Sequence, residues 1–289
     1  VFSFGNGADL DFVDLLSFLI NDPETEIIMC YLEGIKKGRI DTLRAILKNN
    51  TKPIIVLKGG QSEIGAVAAK THTASISGDN KIWTNFFRQY NLIEVDSLEE
   101  LLHATRLIDC YGSFELHNLA VVSISGGYGV VLADLIEKSG LQVPPFSQNI
   151  QDEISKKFFM AGTSPNNPLD FAAQFFAITI VKEVIDLILS DKIIDGLVID
   201  LPGFYLTLPP RIKDTEAFFK IVLESLTLGH KHNKPLILIT QHHTRPKTIN
   251  DFLTNVIDNK ITIFGDPQEF LPLLPRISNF NEKLNKNTS

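Results

Sequence analysis

Two stretches of the sequence share one pattern and decide the fold: EIIMCYLEG at residues 26–34 and DGLVIDLPG at residues 195–203. Each is a run of apolar residues that ends at a turn glycine. Continuous apolar runs of this length are typical of strands that are buried on both faces, as in parallel sheets. We therefore predict a buried parallel strand in each stretch.

The two stretches belong to a longer internal repeat. NTKPIIVLK at residues 50–58 is matched by NKPLILIT at residues 233–240, and residues 92–102 are matched by residues 261–271, each a short strand running into an acidic helix start. The order of the elements is the same in both copies. A repeat of this kind predicts two domains of similar topology.

Helical periodicity fills the spaces between the predicted strands. Apolar residues recur at helical spacing in residues 9–20, 41–47, 180–189 and 216–228. Strands that alternate with helices predict parallel sheets covered on both faces. The sequence thus predicts an α/β protein with two consecutive flavodoxin-like domains, residues 1–113 and 114–289.

The first domain is expected to lack its opening strand and helix. Residues 119–139 of the second copy read as a strand, a glycine turn and a helix, and no counterpart occurs in the first copy. A sheet position and an apolar helix face would then be left uncovered. We expect a partner segment to fill that gap.

Composition narrows the class of partner. The 289 residues are 44% hydrophobic and 21% charged, with a net charge of −7 and no lysine or arginine cluster. This pattern argues against a nucleic-acid or anionic-membrane binder and favours small molecules and proteins as partners. The two cysteines, Cys30 and Cys110, lack metal-ligand spacing, and no signal-peptide pattern or membrane-length apolar run is found. These features predict a protein of the reducing cytoplasm.

The strand-end turns are where chemistry is expected, because ligands of open parallel sheets bind beyond the carboxyl ends of the strands. The sequence THTASISG at residues 71–78 places His72 among small and hydroxyl residues, before a helix with Trp83, Phe86 and Phe87 on its inner face. Such a segment suits a histidine that carries a phosphoryl group near a helix N-terminus. The alternative is a polar loop whose histidine faces solvent.

A second glycine turn has the composition of an anion site. Ser125, Gly126 and Gly127 stand between a predicted strand and a helix over residues 130–138. Glycines permit the turn, and helix amides would point at the anion. The alternative is a tight connection from strand to helix.

KTHTASISG at residues 70–78 resembles the phosphohistidine loop of the ADP-forming acetyl-CoA synthetase family and, more distantly, that of the succinyl-CoA synthetase α subunit. Other segments resemble family signatures in the family's order: Ser3-Phe-Gly-Asn6 with Asp9 and Asp11, YLEGI at residues 31–35, KPIIVLKGG at residues 52–60, GGYG at residues 126–129 and NPLD at residues 167–170. The resemblance covers nearly the whole chain.

The resemblance implies a reaction and roles for individual residues. The family interconverts an acyl-CoA, phosphate and ADP or GDP with a free acid, CoA and ATP or GTP, through an acyl phosphate and a phosphohistidine. Carried over, His72 is the covalent relay, and Glu33 is the carboxylate that hydrogen-bonds its imidazole.

The remaining implied roles concern binding. The residues expected at phosphate are Thr73, Ser75, Ser125, Gly126 and Gly127. Asn167 and Asp170 are expected at the substrate, with an Asn-Pro turn capping the next helix as the alternative.

The implied enzyme is larger than this chain. A CoA-binding domain and an ATP-grasp domain, in other domains or subunits of an oligomer, would supply the CoA site and the nucleotide site with Mg²⁺. The acyl group and the choice between ADP and GDP stay open. Two alternatives also stay open: an acyl-CoA-sensing regulatory module of a protein acetyltransferase without ligase activity, and a structural partner of another enzyme.

Two further groups of polar residues have simpler explanations. His242 and His243 follow a strand without acidic or cysteine neighbours, so we expect a surface turn and no metal site. Asp9, Asp11 and Asp14 are expected to open the first helix, where acidic side chains offset the helix dipole.

Overall fold

The computed structural model describes residues 1–3, 9–65, 80–112, 114–207, 214–240 and 247–288. It divides into two compact units. Unit 1 comprises Val1–Thr105 with Asn279–Ser289, and unit 2 comprises Arg106–Ser278. The domain boundary predicted between residues 113 and 114 stays a prediction.

Unit 1 contains a parallel sheet with strand order β1-β2-β3. Its elements are α1 (Phe12–Asn21), β1 (Ile28–Leu32), α2 (Ile40–Lys48), β2 (Ile54–Lys58), α3 (Asn80–Gln89) and β3 (Ile93–Val95), followed by α4 (Leu98–Tyr111), which runs on into unit 2.

The core of unit 1 forms where the apolar faces of the helices meet the sheet. Trp83, Phe86 and Phe87 of α3 are buried together with residues of α1, β1, α2 and β2. The inward aromatic face predicted for this helix is confirmed. Its rings contact one another at centroid distances of 5.6 to 6.3 Å, which is the range of favourable aromatic pairs.

Acidic residues open α1 as predicted. Asp11 is the N-cap, and its carboxylate accepts hydrogen bonds from the amides of Val13 (2.9 Å) and Asp14 (3.2 Å). The Asp14 carboxylate accepts the amide of Asp11 in return, at 3.1 Å, which completes a capping box. Arg39 also donates to Asp11 and Asp14. These carboxylates therefore have a structural role.

Unit 2 has a five-stranded parallel sheet with the order β5-β4-β6-β7-β8. Its elements are β4 (Leu119–Ser123), α5 (Gly126–Lys138), α6 (Gln148–Lys157), β5 (Leu169–Asp170), α7 (Ile178–Ser190), β6 (Gly196–Asp200), α8 (Thr215–Leu226), α9 (Leu228–Lys231), β7 (Leu236–Ile239), α10 (Lys247–Asp258), β8 (Thr262–Phe264) and α11 (Leu273–Thr288), with 3-10 turns at Ala172–Phe176, Gly203–Thr207 and Pro267–Glu269.

Every residue of β4, β6 and β7 is buried. This burial explains why these strands are continuous apolar runs in the sequence. The predicted α/β class, the parallel sheets and the flavodoxin-like architecture are confirmed. The expectation that β1 is also buried on both faces is wrong, because Met29 and Tyr31 of this edge strand are exposed.

The two sheets differ in size within the described residues. In unit 1 the strand β1 lies at the sheet edge, whereas its repeat counterpart β6 in unit 2 is flanked by β4 and β7. The partner segment predicted for the edge of unit 1 stays a prediction. None of the helices in the described part of the chain is long and apolar enough to cross a membrane.

Candidate functional site

Glu33 follows β1 at its carboxyl end and is half-buried. The hydroxyl of Tyr31 donates to the Oε1 atom of Glu33 at 3.1 Å. The backbone carbonyl of Glu33 accepts a hydrogen bond from the Nζ atom of Lys58 at 2.7 Å. Both the carboxylate and the backbone of Glu33 are therefore held by neighbouring side chains.

Lys58 is the last residue of β2, and only 3% of it is exposed. Its ammonium also donates to the carbonyl of Gly59 and lies 5.6 Å from the centroid of the Trp83 ring. Burial lowers the pKa of Lys58, while the charges of Glu33 and Glu94 raise it. The turn after β2 thus contains a buried cation.

Gly59 brings the ends of β1 and β2 close together. Its amide donates to the carbonyl of Leu32 at 2.9 Å. A Cβ atom at this position would lie 2.5 Å from the hydroxyl oxygen of Tyr31, closer than non-bonded atoms approach. Glycine is needed here because the Tyr31 ring occupies the space of a side chain.

In unit 2 the glycine turn is the beginning of a helix. Ser125 is the N-cap of α5, and Gly126 and Gly127 are its first two residues; all three are exposed. The sequence predicted the helix from residue 130, so it begins four residues earlier. The Ser125 side chain makes no capping hydrogen bond, and the first amides of a helix have no partner within it. The turn therefore presents helix amides at the carboxyl end of β4.

A buried carboxyl lies behind this turn. Asp200 ends β6 and is 4% exposed, and its Oδ2 atom accepts a hydrogen bond from the Ser123 hydroxyl at 3.0 Å. The Ser123 oxygen accepts the amide of Ser125 at 3.1 Å. Burial raises the pKa of Asp200 to about 6, although the Ser123 hydrogen bond lowers it. Ser123 thus connects Asp200 to the N-cap of α5.

Asp170, at the end of β5, approaches the same helix start. Its Oδ1 atom accepts the amide of Ala172 at 2.8 Å. A Cβ atom on Gly126 would lie 2.7 Å from the Oδ2 atom of Asp170. The absence of a side chain at Gly126 is what lets this carboxylate lie against the first turn of α5.

The carboxamide of Asn167 is engaged with backbone groups. Its Oδ1 atom accepts the amide of Val121 at 2.9 Å, and its Nδ2 atom donates to the carbonyls of Leu119 (3.0 Å) and Pro144 (2.8 Å). The bond to Pro168 is cis. These contacts give Asn167 a structural role, and the predicted substrate contact stays a prediction.

Several predicted residues lie outside the described residues: His72, Thr73, Ser75, His242 and His243. Glu33 belongs to unit 1 and Gly126 to unit 2, and their predicted convergence with His72 stays a prediction. Among the described residues, no group of three or more histidine, cysteine, aspartate or glutamate side chains could hold a metal ion.

Comparison with known proteins gives matches to one class of ligases. The family model described as "Succinyl-CoA ligase like flavodoxin domain" matches residues 1–108. The chain is 35% identical over 174 residues to the α subunit of acetate–CoA ligase [ADP-forming] II of Pyrococcus furiosus, covering 60% of this chain and 37% of the relative. It is 30% identical over 201 residues to acetate–CoA ligase [ADP-forming] II of Archaeoglobus fulgidus, covering 68% of this chain and 29% of the relative.

Among solved structures, the dinucleotide-forming acetyl-coenzyme A synthetase 1 of Ca. Korarchaeum cryptofilum, in complex with phosphate and ADP, is 26% identical with a TM-score of 0.79. That similarity covers 99% of this chain and 60% of the other. The family-model match and the similarity to ADP-forming acetate–CoA ligases support the NDP-forming acyl-CoA synthetase family for this chain. It spans only 24 to 37% of the first curated relatives.

Two charged residues at the strand ends, Lys58 and Asp200, were given no role from the sequence. Each is a charged residue at the end of an apolar run, a place where a side chain ordinarily turns to solvent. Their position in the sequence could have indicated them, because both stand at the carboxyl ends of predicted parallel strands, where ligands of such sheets bind.

Proposed function

We propose that this chain is the part of an NDP-forming acyl-CoA synthetase that carries the phosphoryl relay. The synthetase interconverts an acyl-CoA, phosphate and ADP or GDP with a carboxylic acid, CoA and ATP or GTP. The supporting observation is that hydrogen bonds from Tyr31 and Lys58 fix Glu33 at the end of β1, in a chain that matches this family's model.

The reaction has three steps. A phosphate oxygen attacks the thioester carbonyl, CoA leaves as the thiol, and an acyl phosphate forms. A ring nitrogen of His72 then attacks phosphorus, which releases the carboxylate and leaves phosphohistidine. Finally a β-phosphate oxygen of ADP or GDP attacks the phosphohistidine, which forms the triphosphate and returns the imidazole.

Glu33 is the group that prepares His72 for this chemistry. A carboxylate that accepts the hydrogen bond of one ring nitrogen fixes the tautomer, so that the other nitrogen presents its lone pair. It also stabilises the positive charge that the ring gains on phosphorylation. The Tyr31 hydroxyl, 3.1 Å from Oε1, limits the directions in which the carboxylate can turn.

The start of α5 is proposed as a binding element for the phosphoryl group. Exposed helix amides at Gly126 and Gly127 favour an anion through their hydrogen bonds and through the helix dipole. Thr73, Ser75 and Ser125 are proposed as hydroxyl donors, and Asn167 and Asp170 as substrate contacts.

Other parts of the enzyme complete the activity. A CoA-binding part and an ATP-grasp part, in further domains or subunits, are proposed to bind CoA and the nucleotide with its Mg²⁺. The free thiols of Cys30 and Cys110 agree with a cytoplasmic location, which we also propose.

Labelling tests the relay directly. When the assembled synthetase is given Mg²⁺ and ATP labelled at the γ-phosphate, we expect acid-labile, base-stable label at His72. His72→Ala should lose the label and the overall reaction, because no hydroxyl of residues 71–77 replaces an imidazole as relay. His117→Ala, an exposed histidine of unit 2, serves as the control and should keep both. Normal turnover with His72→Ala would overturn the proposal and favour the acyl-CoA-sensing module.

Glu33→Gln tests the partner of the relay. The amide can still hold the ring but loses the charge that stabilises the phosphorylated imidazole, so labelling should continue at a rate reduced roughly 10- to 100-fold. Rapid quenching of a single turnover measures that rate. Glu26→Gln, exposed before the other end of β1, should leave it unchanged. Equal rates for both variants would exclude Glu33 from the relay.

A further inference from the structure

We propose that Lys58 is a positioning residue of the phosphoryl relay, because it fixes the turn from which Glu33 projects. This inference rests on the proposed function. It concerns a side chain for which neither the sequence patterns nor the comparisons provide a role.

The first argument is the geometry of the strand ends. The Lys58 ammonium donates to the Glu33 carbonyl at 2.7 Å and to the Gly59 carbonyl. The amide of Gly59 donates to the Leu32 carbonyl at 2.9 Å. One ammonium thus joins the turn after β1 to the turn after β2, so a shift of Lys58 would shift the backbone of Glu33.

The second argument is the cost of the charge. An ammonium loses its hydration when it is buried, which costs free energy that its hydrogen bonds must offset. In the internal repeat the counterpart of Lys58 is Thr240, which is 1% exposed and uncharged. The same place in the same kind of sheet therefore folds without a cation. The charge in unit 1 needs an explanation other than the fold.

The third argument is the way the ammonium itself is held. It lies 5.6 Å from the centroid of the Trp83 ring, a distance at which the ring attracts a cation. Trp83 packs against both Phe86 and Phe87 in the core of unit 1. Because the ring is fixed by packing, it restricts the ammonium to the two strand ends.

These contacts give Lys58 a defined action. It holds the main chain at Glu33, while the Tyr31 hydroxyl holds the carboxylate of Glu33. The carboxylate is then presented in one direction at the carboxyl edge of the sheet. A small displacement of a group that orients the nucleophile is enough to slow a reaction considerably.

The test compares Lys58→Met with Lys52→Met in the assembled synthetase. Lys52 is a matched control, because its ammonium also donates to two backbone carbonyls, those of Leu19 (3.0 Å) and Asp22, but at the opposite end of β2. We expect Lys58→Met to slow the labelling of His72 roughly 10- to 100-fold. It should lower the unfolding midpoint about as much as the control does, because both variants lose two hydrogen bonds from an ammonium to backbone carbonyls. Lys52→Met should lower the midpoint and leave the labelling rate unchanged.

A double-variant experiment separates positioning from general damage. If Lys58 acts through Glu33, adding Lys58→Met to Glu33→Gln should change the labelling rate by less than about twofold, because coupled residues are not additive. Lys58→Gln, which keeps one donor, should have a labelling rate between those of the unchanged enzyme and Lys58→Met, and it also covers the case in which Lys58→Met does not fold.

Two outcomes would overturn the proposal. One is an unchanged labelling rate in folded Lys58→Met or Lys58→Gln. The other is a full, multiplicative loss when Lys58→Met is combined with Glu33→Gln. Failure of the proposed function looks different, since the unmodified enzyme would then carry no label at His72.

Discussion

At the amino ends of their strands, both units have a lysine at the same repeat position, and it makes the same kind of hydrogen bonds. At the carboxyl ends, the two units have different residues. In unit 1 the ammonium of Lys52 donates to carbonyls at the end of α1. In unit 2 its repeat counterpart Lys234 donates to the carbonyls of Leu189 and Asp191 at the end of α7, both at 2.7 Å. Each lysine satisfies helix carbonyls that have no partner within the helix.

The carboxyl ends of the corresponding strands diverge. β1 ends at Leu32 and β2 at Lys58, and their repeat counterparts in unit 2 are the buried residues Leu201 and Thr240. One residue earlier, the exposed Tyr31 of unit 1 corresponds to the buried Asp200 of unit 2. Unit 1 thus buries a cation where unit 2 buries a carboxyl one strand away. The two units therefore make the same contacts at the amino ends of these strands and carry different charged groups at the carboxyl ends, where ligands of parallel sheets bind.

The largest expected effect is at Asp200, a buried carboxyl whose counterpart in unit 1 is the exposed Tyr31. Burial raises the pKa of Asp200 from its ordinary value of 3.8 to about 6. The folded protein therefore binds this proton more tightly than the unfolded chain, so the contribution to stability is full below pH 3.8 and is lost as the pH rises through 6. We expect Asp200→Asn to raise the free energy of unfolding at pH 8 by about 2 to 3 kcal/mol.

Urea unfolding at pH 8 and pH 4 measures this difference. The difference between the variant and the unchanged protein should shrink from pH 8 to about 0.5 kcal/mol at pH 4, because there Asp200 is protonated in the folded protein and about half protonated in the unfolded chain. An equal difference at both values would show that the carboxylate charge is not its cause.

A smaller effect is expected where the units agree. Lys52→Met and Lys234→Met each remove hydrogen bonds from a charged donor to helix carbonyls, so each should lower the free energy of unfolding of its own unit by about 1 to 2 kcal/mol. Trp83, the single tryptophan, reports on unit 1 by fluorescence, and amide exchange in β6 and β7 reports on unit 2. A large loss in one unit with none in the other would break the equivalence of the two lysines.

The smallest effect concerns the turns after the last strand of each sheet. The Glu100 carboxylate accepts the amide of Asp96 at 2.8 Å, and the Glu269 carboxylate accepts the amide of Gly265 at 3.2 Å. Glu100→Gln and Glu269→Gln keep an acceptor and lose only the charge. Each should lower the free energy of unfolding by less than about 1 kcal/mol. Thermal unfolding followed by circular dichroism measures this loss. Unequal losses would show that the repeat does not extend to these turns.

The sequence predicted the positions of the strands and helices better than the contacts of the side chains at the carboxyl ends of the strands. Strands were predicted within a few residues because buried parallel strands are apolar throughout, as in β4. The start of α5 was placed too late because Gly126 and Gly127 ordinarily interrupt helices, although the first turn tolerates them. The burial of Lys58 depends on Trp83 and on the carbonyl of Glu33, each 25 residues away, which no local pattern reveals.

The roles of individual site residues divide in the same way. Glu33 was predicted through the family resemblance, and its carboxylate and carbonyl contacts became visible only with β1 and β2 side by side. For Asn167 the sequence indicated a proline turn or a substrate contact. It could not reveal three hydrogen bonds to backbone groups as far as 48 residues away.

Asn167 has a consequence for how the outer border of the unit 2 sheet is protected. In a parallel ladder one residue accepts from the amide following its partner and donates to the carbonyl preceding it. The Asn167 carboxamide makes this same pair of bonds, with Val121 and Leu119, directly before β5 takes up the pairing at Leu169 and Val122. A side chain thus extends a two-residue strand and occupies backbone groups to which a foreign strand could otherwise add. Asn167 therefore lowers the tendency of this sheet edge to pair with another chain.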